Sequence, residues 1–293
     1  MKKKPYFFKI SQKIRGLFSK RPCNMKKKFF AAIEKGEFSV IQESLQKDMS
    51  LINARFNEES ALYKACATPH LAVVKMLLDF GADINWTDEL GSSPLLNACF
   101  HQQKEIVAEL LRRGADIKQI GFYGGVLSCV KDTKLLKLLI EAGADVNERS
   151  FEDGEETPLF SACLGGRLEI AEILLESGAD IDAKNDMGRT ALWEVCLAND
   201  EDTAEKLRAL YPKVVEFLAD YGADVSLHDE CSSILTDACD TKLKSATQIV
   251  RVLLNKMPRE MLFYKDFDGL TALDIAKKHK NKELIELLME KMK

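Results

Sequence analysis

The feature that most constrains this chain is a short segment that recurs five times. In each copy an apolar stretch runs into Gly-Ala-Asp, as in residues 174–182, which read Leu-Leu-Glu-Ser-Gly-Ala-Asp-Ile-Asp. A glycine at this place can adopt the left-handed conformation that ends a helix. The glycines follow one another at intervals of 33, 29, 35 and 44 residues: Gly81, Gly114, Gly143, Gly178 and Gly222.

A second signal keeps the same period. Ser or Thr, then often Pro or Ala, then Leu, opens a helix, because the hydroxyl caps the first amides and Pro lacks only an N–H that the helix does not need there. These openings are at Ser60, Ser93, Thr157, Thr190 and Thr271. Two signals in phase predict a helix-turn-helix repeat that is stacked many times.

This pattern resembles the ankyrin repeat family, whose repeat joins a turn carrying Thr-Pro-Leu-His to two helices that end in Gly-Ala-Asp. The resemblance covers about residues 27–293 and implies an all-α ankyrin-repeat solenoid of about eight helix-turn-helix repeats with protruding turns. We expect the repeats to open near residues 27, 60, 93, 124, 157, 190, 233 and 271. The histidine of the motif is absent throughout, so we expect apolar packing to replace its hydrogen bonds between turns.

Two repeats depart from the pattern. The fourth carries Gly-Gly-Val-Leu at residues 124–127 instead of Ser-Pro-Leu, and the seventh ends at Met257-Pro258 without Gly-Ala-Asp. The sixth contains an insertion of roughly ten residues before Pro212. This insertion is either a tolerated bulge or a handle for a particular partner.

The cysteines predict a buried row. Five of the eight follow the opening Leu by four residues, and successive copies of one position in a stack lie about 10 Å apart. A disulfide needs Cα atoms within about 7 Å, so we expect free thiols in a reducing compartment. The five are Cys66, Cys99, Cys163, Cys196 and Cys239.

Residues 1–26 differ from the rest and are predicted to be a basic amphipathic or flexible segment. Residues 1–28 hold eleven Lys or Arg and no acid, which leaves 31 basic and 46 acidic residues, a net −15, in the remainder. Ile10, Ile14, Leu17 and Phe18 share one helix face, a pattern typical of contact with an anionic membrane. The simpler reading is a solvated leader, and nuclear targeting through the lysine clusters is a third.

The sequence contains no recognisable motif for catalysis, metal binding or phosphate binding. The chain has no Cys-x-x-Cys pair, its four histidines (His70, His101, His228 and His279) lie in different repeats, and the glycines at residues 121–125 lack the Lys-Ser/Thr of a phosphate loop. No Ser-nucleophile elbow or His-Glu-x-x-His motif occurs either. We therefore expect no enzyme activity, no metal, no cofactor and no nucleic-acid partner.

The resemblance implies instead a protein-binding scaffold. Its turns and inner helices would line a concave surface that binds one partner. The acidic repeats favour a partner that is basic at the contact, and we expect a monomer in the cytoplasm or another reducing compartment. Some of the aromatic contact residues could pack on a neighbouring turn instead. The family's contact positions fall on Trp86, Glu89, Leu90, Ser92, Phe100, His101, Phe122, Tyr123, Glu155, Glu156, Leu164, Met187, Arg189, Phe267 and Asp268.

Two alternatives stay open. In one, the basic segment anchors the protein at a membrane surface and the repeats carry a cargo. In the other, the protein is a bacterial effector secreted into a host or a protein that neutralises a toxin.

Overall fold

The computed structural model describes residues 20–122, 124–150, 154, 156–197, 205–240 and 244–293, with side chains from Met25 onward except at 208, 244 and 245. The predictions for the amphipathic pattern at residues 10–18 and for residues 198–204 of the insertion lie outside this part. The chain divides into two compact units, an N-terminal unit of Met1–Asp116 and a C-terminal unit of Ile117–Lys293. Each is described by itself.

The N-terminal unit is a set of helix pairs. Its helices are α1 Lys20–Lys35, α2 Phe38–Lys47, α3 Ala61–Cys66, α4 Leu71–Asp79, α5 Pro94–Phe100 and α6 Lys104–Arg112. A 3₁₀ turn, Met49–Asn53, follows α2, and two short antiparallel strands, β1 Arg55–Phe56 and β2 Glu59–Ser60, pair with Arg55 opposite Ser60.

Helix α1 begins earlier than the sequence predicted. We expected the first repeat to open near residue 27, but its first helix starts at Lys20, and the boundary expected after residue 26 falls inside this helix. Pro22 lies in the first turn, where its missing N–H costs no hydrogen bond, and the lysines that follow are good helix formers.

The C-terminal unit continues the pattern with one exception. Its helices are α7 Thr133–Glu141, α8 Pro158–Leu164, α9 Leu168–Glu176, α10 Ala191–Leu197, α11 Glu205–Arg208, α12 Tyr211–Asp220, α13 Ile234–Cys239, α14 Lys244–Lys256, α15 Ala272–Lys278 and α16 Lys282–Met292, with a 3₁₀ turn at Arg259–Phe263. In the fourth repeat, residues 126–129 form a turn where other repeats have their first helix.

Helices of the same kind stack on one another. First helices pack on first helices, α3 on α5 in the N-terminal unit and α8, α10, α13 and α15 in succession in the C-terminal unit. Second helices do the same, as α4 on α6 and α12 on α14. Each unit is therefore an all-α ankyrin stack, in which a repeat buries its apolar face against the next one.

The residues that open the repeats cap their helices, as predicted, with one exception. Ser60 Oγ accepts from Tyr63 N at 3.1 Å and Ser93 Oγ from Leu96 N at 3.2 Å. Ser233 and Thr271 form complete capping boxes. Thr157 makes no such bond, and its buried Oγ1 has no partner.

The five predicted row cysteines are free and buried, each at most 2% exposed. Burial raises the pKa of Cys66, Cys163, Cys196 and Cys239, to about 12 for Cys163, so these thiols stay protonated and unreactive at neutral pH. Cys231, by contrast, is exposed.

Side chains from the turns that follow the second helices join consecutive repeats in a hydrogen-bond ladder. In each rung, an Asn or Asp oxygen accepts from the backbone N–H of the aspartate one repeat later. The rungs are Asn53 to Asp83 (3.0 Å), Asn85 to Asp116 (2.9 Å), Asn147 to Asp180 (2.8 Å) and Asp182 to Asp224 (3.0 Å). The structure thus adds polar bonds to the apolar packing expected in place of the missing histidines.

Thiol accessibility tests the cysteine row. In a Cys23→Ser/Cys129→Ser background, which removes the N-terminal thiol and the half-buried Cys129, Ellman's reagent should label Cys231 within seconds to minutes, because its thiol is exposed, and the five row thiols only after denaturant is added. Cys231→Ser should remove the fast phase. Rapid labelling of several thiols in the native protein would contradict the buried row.

The ladder is tested at its middle rung. Asn147 Oδ1 accepts from Asp180 N and its amide donates to Gly178 O at 3.2 Å, so Asn147→Ala removes both bonds. We expect the free energy of unfolding in urea to fall by about 1–2 kcal/mol. Lys137→Ala, an exposed change on α7, is the control, and equal stability of the two variants would argue against the ladder.

Candidate functional site

The protruding turns share one hydrogen-bond design. We call residues 88–92, 185–189, 229–232 and 266–270 the tips. The first residue of each tip folds its side-chain oxygen back onto the tip's own backbone, as Asp88 Oδ1 does on Leu90 N (2.9 Å) and Ser92 N (2.8 Å). The matching acceptors are Asn185, Asp229 and Asp266.

Glycine completes three of the tips. Gly91, Gly188 and Gly269 have φ near +75°, in the left-handed region that side chains other than glycine rarely adopt. Backbone bonds close the same turns, as from Asn185 N to Arg189 O at 2.9 Å. The side chains between acceptor and glycine therefore project outward from a fixed backbone.

In the N-terminal unit, the predicted contact residues are exposed with two exceptions. Glu89, Leu90 and His101 are exposed and Ser92 is half-buried. Phe100, at the end of α5, is 67% exposed, and the His101 ring meets it edge-on at 5.3 Å between centroids. These two rings form a small aromatic surface at the end of the helix.

Trp86 is the second exception and a correction. The sequence placed it among the partner contacts, but it is only 9% exposed. Its ring packs edge-on against Tyr63 at 5.5 Å, and the Arg55 guanidinium lies 5.7 Å from its centroid. Trp86 therefore belongs to the packing between neighbouring turns, the alternative left open for the aromatics, and we remove it from the contact surface.

In the C-terminal unit, two tips carry strongly exposed apolar side chains. Met187 is 61% exposed and Phe267 is 84% exposed, with the exposed Asp268 next to it. Arg189 is half-buried beside Met187, with its Nη1 4.0 Å from the Met187 sulfur. Leu164 is half-buried on α8, and its carbonyl accepts from the Tyr211 hydroxyl at 3.2 Å.

The tips of this unit are bonded to their neighbours. Asp186 N donates to Gly154 O and Phe267 N donates to Cys231 O, each at 2.8 Å. Between them, the Asp237 carboxylate accepts from Trp193 Nε1 at 2.7 Å and from Ser232 Oγ at 3.0 Å. Burial raises the pKa of Asp237, and these two donors oppose the rise.

A buried carboxylate supports the turn of the fourth repeat. Glu148 is 6% exposed, and its carboxylate accepts from Leu127 N at 3.1 Å and from the backbone of Gly125 and Ser128. It lies so close to Gly125 that a Cβ there would be 2.0 Å from Glu148 Oε2. Burial raises the pKa of Glu148 to about 7, although the backbone donors counter this effect.

The remaining predicted contacts flank this turn or precede α8. Phe122 is half-buried and takes part in interactions of its own, and Glu156 is half-buried with its carbonyl accepting from Ser150 N at 3.1 Å. Tyr123 and Glu155 lie outside the described residues.

No grouping that suggests metal or membrane chemistry occurs in the described part of the chain. Over those residues, no set of three or more His, Cys, Asp or Glu is arranged to hold a metal ion. None of the helices described combines the length and apolar character that crossing a bilayer requires. A groove of about 390 Å³ between α2 and α4 is lined by Phe38, Met76 and Phe80, with Lys75 and Asp79 at its polar side.

Comparison with known proteins decides the family. The family profile described as ankyrin repeats (3 copies) matches residues 29–120 and 126–229, more than half of the chain. The chain belongs to the ankyrin repeat family.

Individual relatives share this segment. YahD of Escherichia coli K12, named as an ankyrin repeat protein, is 30% identical over 162 residues, 54% of this chain and 77% of YahD. A Danio rerio protein named as a palmitoyltransferase is 31% identical over 136 residues, 45% of this chain and 21% of that protein. Ankyrin repeat and SAM domain-containing protein 6 of Mus musculus is 31% identical over 139 residues, 44% of this chain and 16% of the mouse protein.

This ankyrin chain thus spans only about a fifth or less of the zebrafish and mouse relatives. The activity in the zebrafish protein's name is a property of that protein. What the ankyrin family supports here is a protein–protein interaction module in general.

Sequence reasoning missed Glu148. A glutamate after Gly-Ala-Asp-Val-Asn reads as one more surface carboxylate, and only the Gly-Gly at residues 124–125, in place of a capping Ser-Pro, indicated that something else must fill this position. Sequence reasoning also missed the hydrogen bonds between tips. These bonds join backbone atoms of two turns, and no particular residue type marks them in the sequence.

Glu148 predicts a pH dependence of stability. With a folded pKa of about 7 against about 4.5 in the unfolded chain, the folded state binds more protons between these values, so the free energy of unfolding falls as pH rises through that window. We expect Glu148→Gln to reduce the loss between pH 5 and pH 7.5 by up to about 3 kcal/mol. Urea unfolding of both proteins at the two pH values measures it, and parallel pH profiles would contradict the assignment.

Proposed function

We propose that this protein binds another protein through the exposed side chains of its tips and the ends of its first helices, without catalysing a reaction. The proposal rests on the positions of the most exposed apolar side chains. The three most exposed large apolar side chains of the described residues are Phe267 at 84%, Phe100 at 67% and Met187 at 61%. All three lie at predicted contact positions.

An exposed aromatic or Met side chain leaves apolar surface in water, which is unfavourable in the unbound protein. Binding a partner removes that surface from water. Aromatic residues and Met are enriched in interfaces, and aromatic hot spots carry a large share of binding energy. The side-chain acceptors and glycines of the tips hold the backbone before a partner arrives, which lowers the entropy lost on binding.

A scaffold explains the distribution of polar groups better than an active site does. The two described carboxyls whose pKa burial raises, those of Glu148 and Asp237, are each occupied by backbone or side-chain donors that stabilise the fold. The acidic excess of residues 29–293 supports a partner that is basic where it makes contact.

Partner capture tests this function. We expect Phe100→Ser and Met187→Ser each to reduce recovery of specific partners at least tenfold when the intact chain is used as bait in extract of its native source, because truncating a hot spot costs about 2 kcal/mol or more.

Exposed apolar residues elsewhere on the chain provide the controls. Met49→Ser and Met289→Ser remove side chains that are 52% and 50% exposed outside the tips. Recovery should be unchanged for both. Equal recovery by all four variants and the parent would reject the proposed surface.

A further inference from the structure

The last two tips of the C-terminal unit form one bonded pair. Phe267 N donates to Cys231 O at 2.8 Å, and the Tyr264 hydroxyl donates to Asp229 O. The rings of His228 and Tyr264 lie 4.9 Å apart at the base of the two turns. The backbone that carries Phe267 is therefore fixed from both sides.

Phe267 is nevertheless open to solvent. It is 84% exposed, the highest value among the large apolar side chains described, and it sits between the turn acceptor Asp266 and the exposed Asp268. A phenyl ring held outward on a rigid turn offers both faces to a ligand, and such a ring attracts cations through its quadrupole.

Two exposed carboxylates lie next to Phe267 or to its backbone partner in the chain. Glu230 precedes Cys231, the residue that accepts the Phe267 N–H, and both Glu230 and Asp268 are exposed. Neither has a salt bridge or hydrogen bond through its side chain within the described residues, whereas Asp229 and Asp266 are occupied as acceptors of their own turns. Lys265 is the only Lys or Arg in residues 228–233 and 264–271. Its charge contributes to lowering the pKa of Asp274.

We propose that Glu230, Phe267 and Asp268, which we call the arginine platform, bind an arginine side chain in a basic segment of the partner protein. The guanidinium lies on the Phe267 ring, and its N–H groups donate to the Glu230 and Asp268 carboxylates. This inference rests on the proposed function and names the partner chemistry for the last two tips of the C-terminal unit.

Arginine fits this surface better than the other candidates. Its guanidinium is planar, weakly hydrated and able to stack on an aromatic ring while it donates in the same plane to carboxylates. Lysine offers a compact, strongly hydrated charge with no planar face, and an acidic or purely apolar segment would leave two carboxylates facing repulsion or desolvation.

Peptide binding to the intact chain tests the platform. Fluorescence anisotropy at about 0.1 M salt, near physiological screening, compares labelled twelve-residue peptides of alternating Arg and Ser, Lys and Ser, and Glu and Ser. We expect the Arg peptide to bind several-fold more tightly than the Lys peptide and the Glu peptide not to bind.

Variants separate the platform from general attraction to an acidic protein. Phe267→Ser should weaken Arg-peptide binding about two- to fivefold, the range of an exposed cation–π contact. The double variant Glu230→Gln/Asp268→Asn should weaken it about tenfold or more, since it removes both charge-assisted acceptors. The control, Glu286→Gln/Glu290→Gln on α16, changes the net charge by the same amount in the same unit and should have less than about a twofold effect.

Three results would overturn the platform: equal weakening by the two double variants, unchanged binding by Phe267→Ser, or equal affinity for the Arg and Lys peptides. Urea midpoints confirm that each variant is folded. If partner capture still depends on Phe100 and Met187 while the peptides fail to discriminate, the arginine chemistry is rejected and the proposed function stands.

Discussion

The structure depends on one constraint: a single repeat of two short helices cannot bury its own apolar side. First helices therefore pack on first helices and second helices on second helices, within each of the two units. This stacking explains why the five row cysteines are all buried, and why α3, with six residues, and α5, with seven, are stable although they would not form alone. The polar ladder runs beside this packing and fixes the spacing at which the next repeat docks.

The tips present exposed side chains because their backbone is held by local hydrogen bonds. The first side chain of each tip bonds to the tip's own backbone, so the side chains between acceptor and glycine are not needed for these hydrogen bonds. Met187 and Phe267 occupy such positions. Under the proposed function, stability and recognition fall to different residues of one repeat, which is a physical reason why a single architecture can serve many partners.

Much of this could be predicted from the sequence, because periodic signals report local geometry. Capping by Ser60 and Ser93, the glycine-ended helices and the row of buried thiols all followed from spacing. Features that depend on one particular neighbour could not be predicted. Trp86 has the composition of a contact residue, yet Tyr63 and Arg55 cover it, and no pattern in the chain announces that pairing. The start of α1 was missed because its basic composition resembles a solvated leader.

Glu148 stabilises the turn of the fourth repeat through contacts that no other buried carboxylate makes in the described repeats. Its carboxylate fills the space above Gly125 and binds the turn that stands in for a first helix, so the two positions form a single steric unit. Repeat proteins are often treated as interchangeable cassettes. Here, any side chain introduced at position 125 would meet the Glu148 carboxylate, so a standard opening at residues 124–127 could be accommodated only if Glu148 moved, and the fourth repeat is less interchangeable than the periodicity suggests.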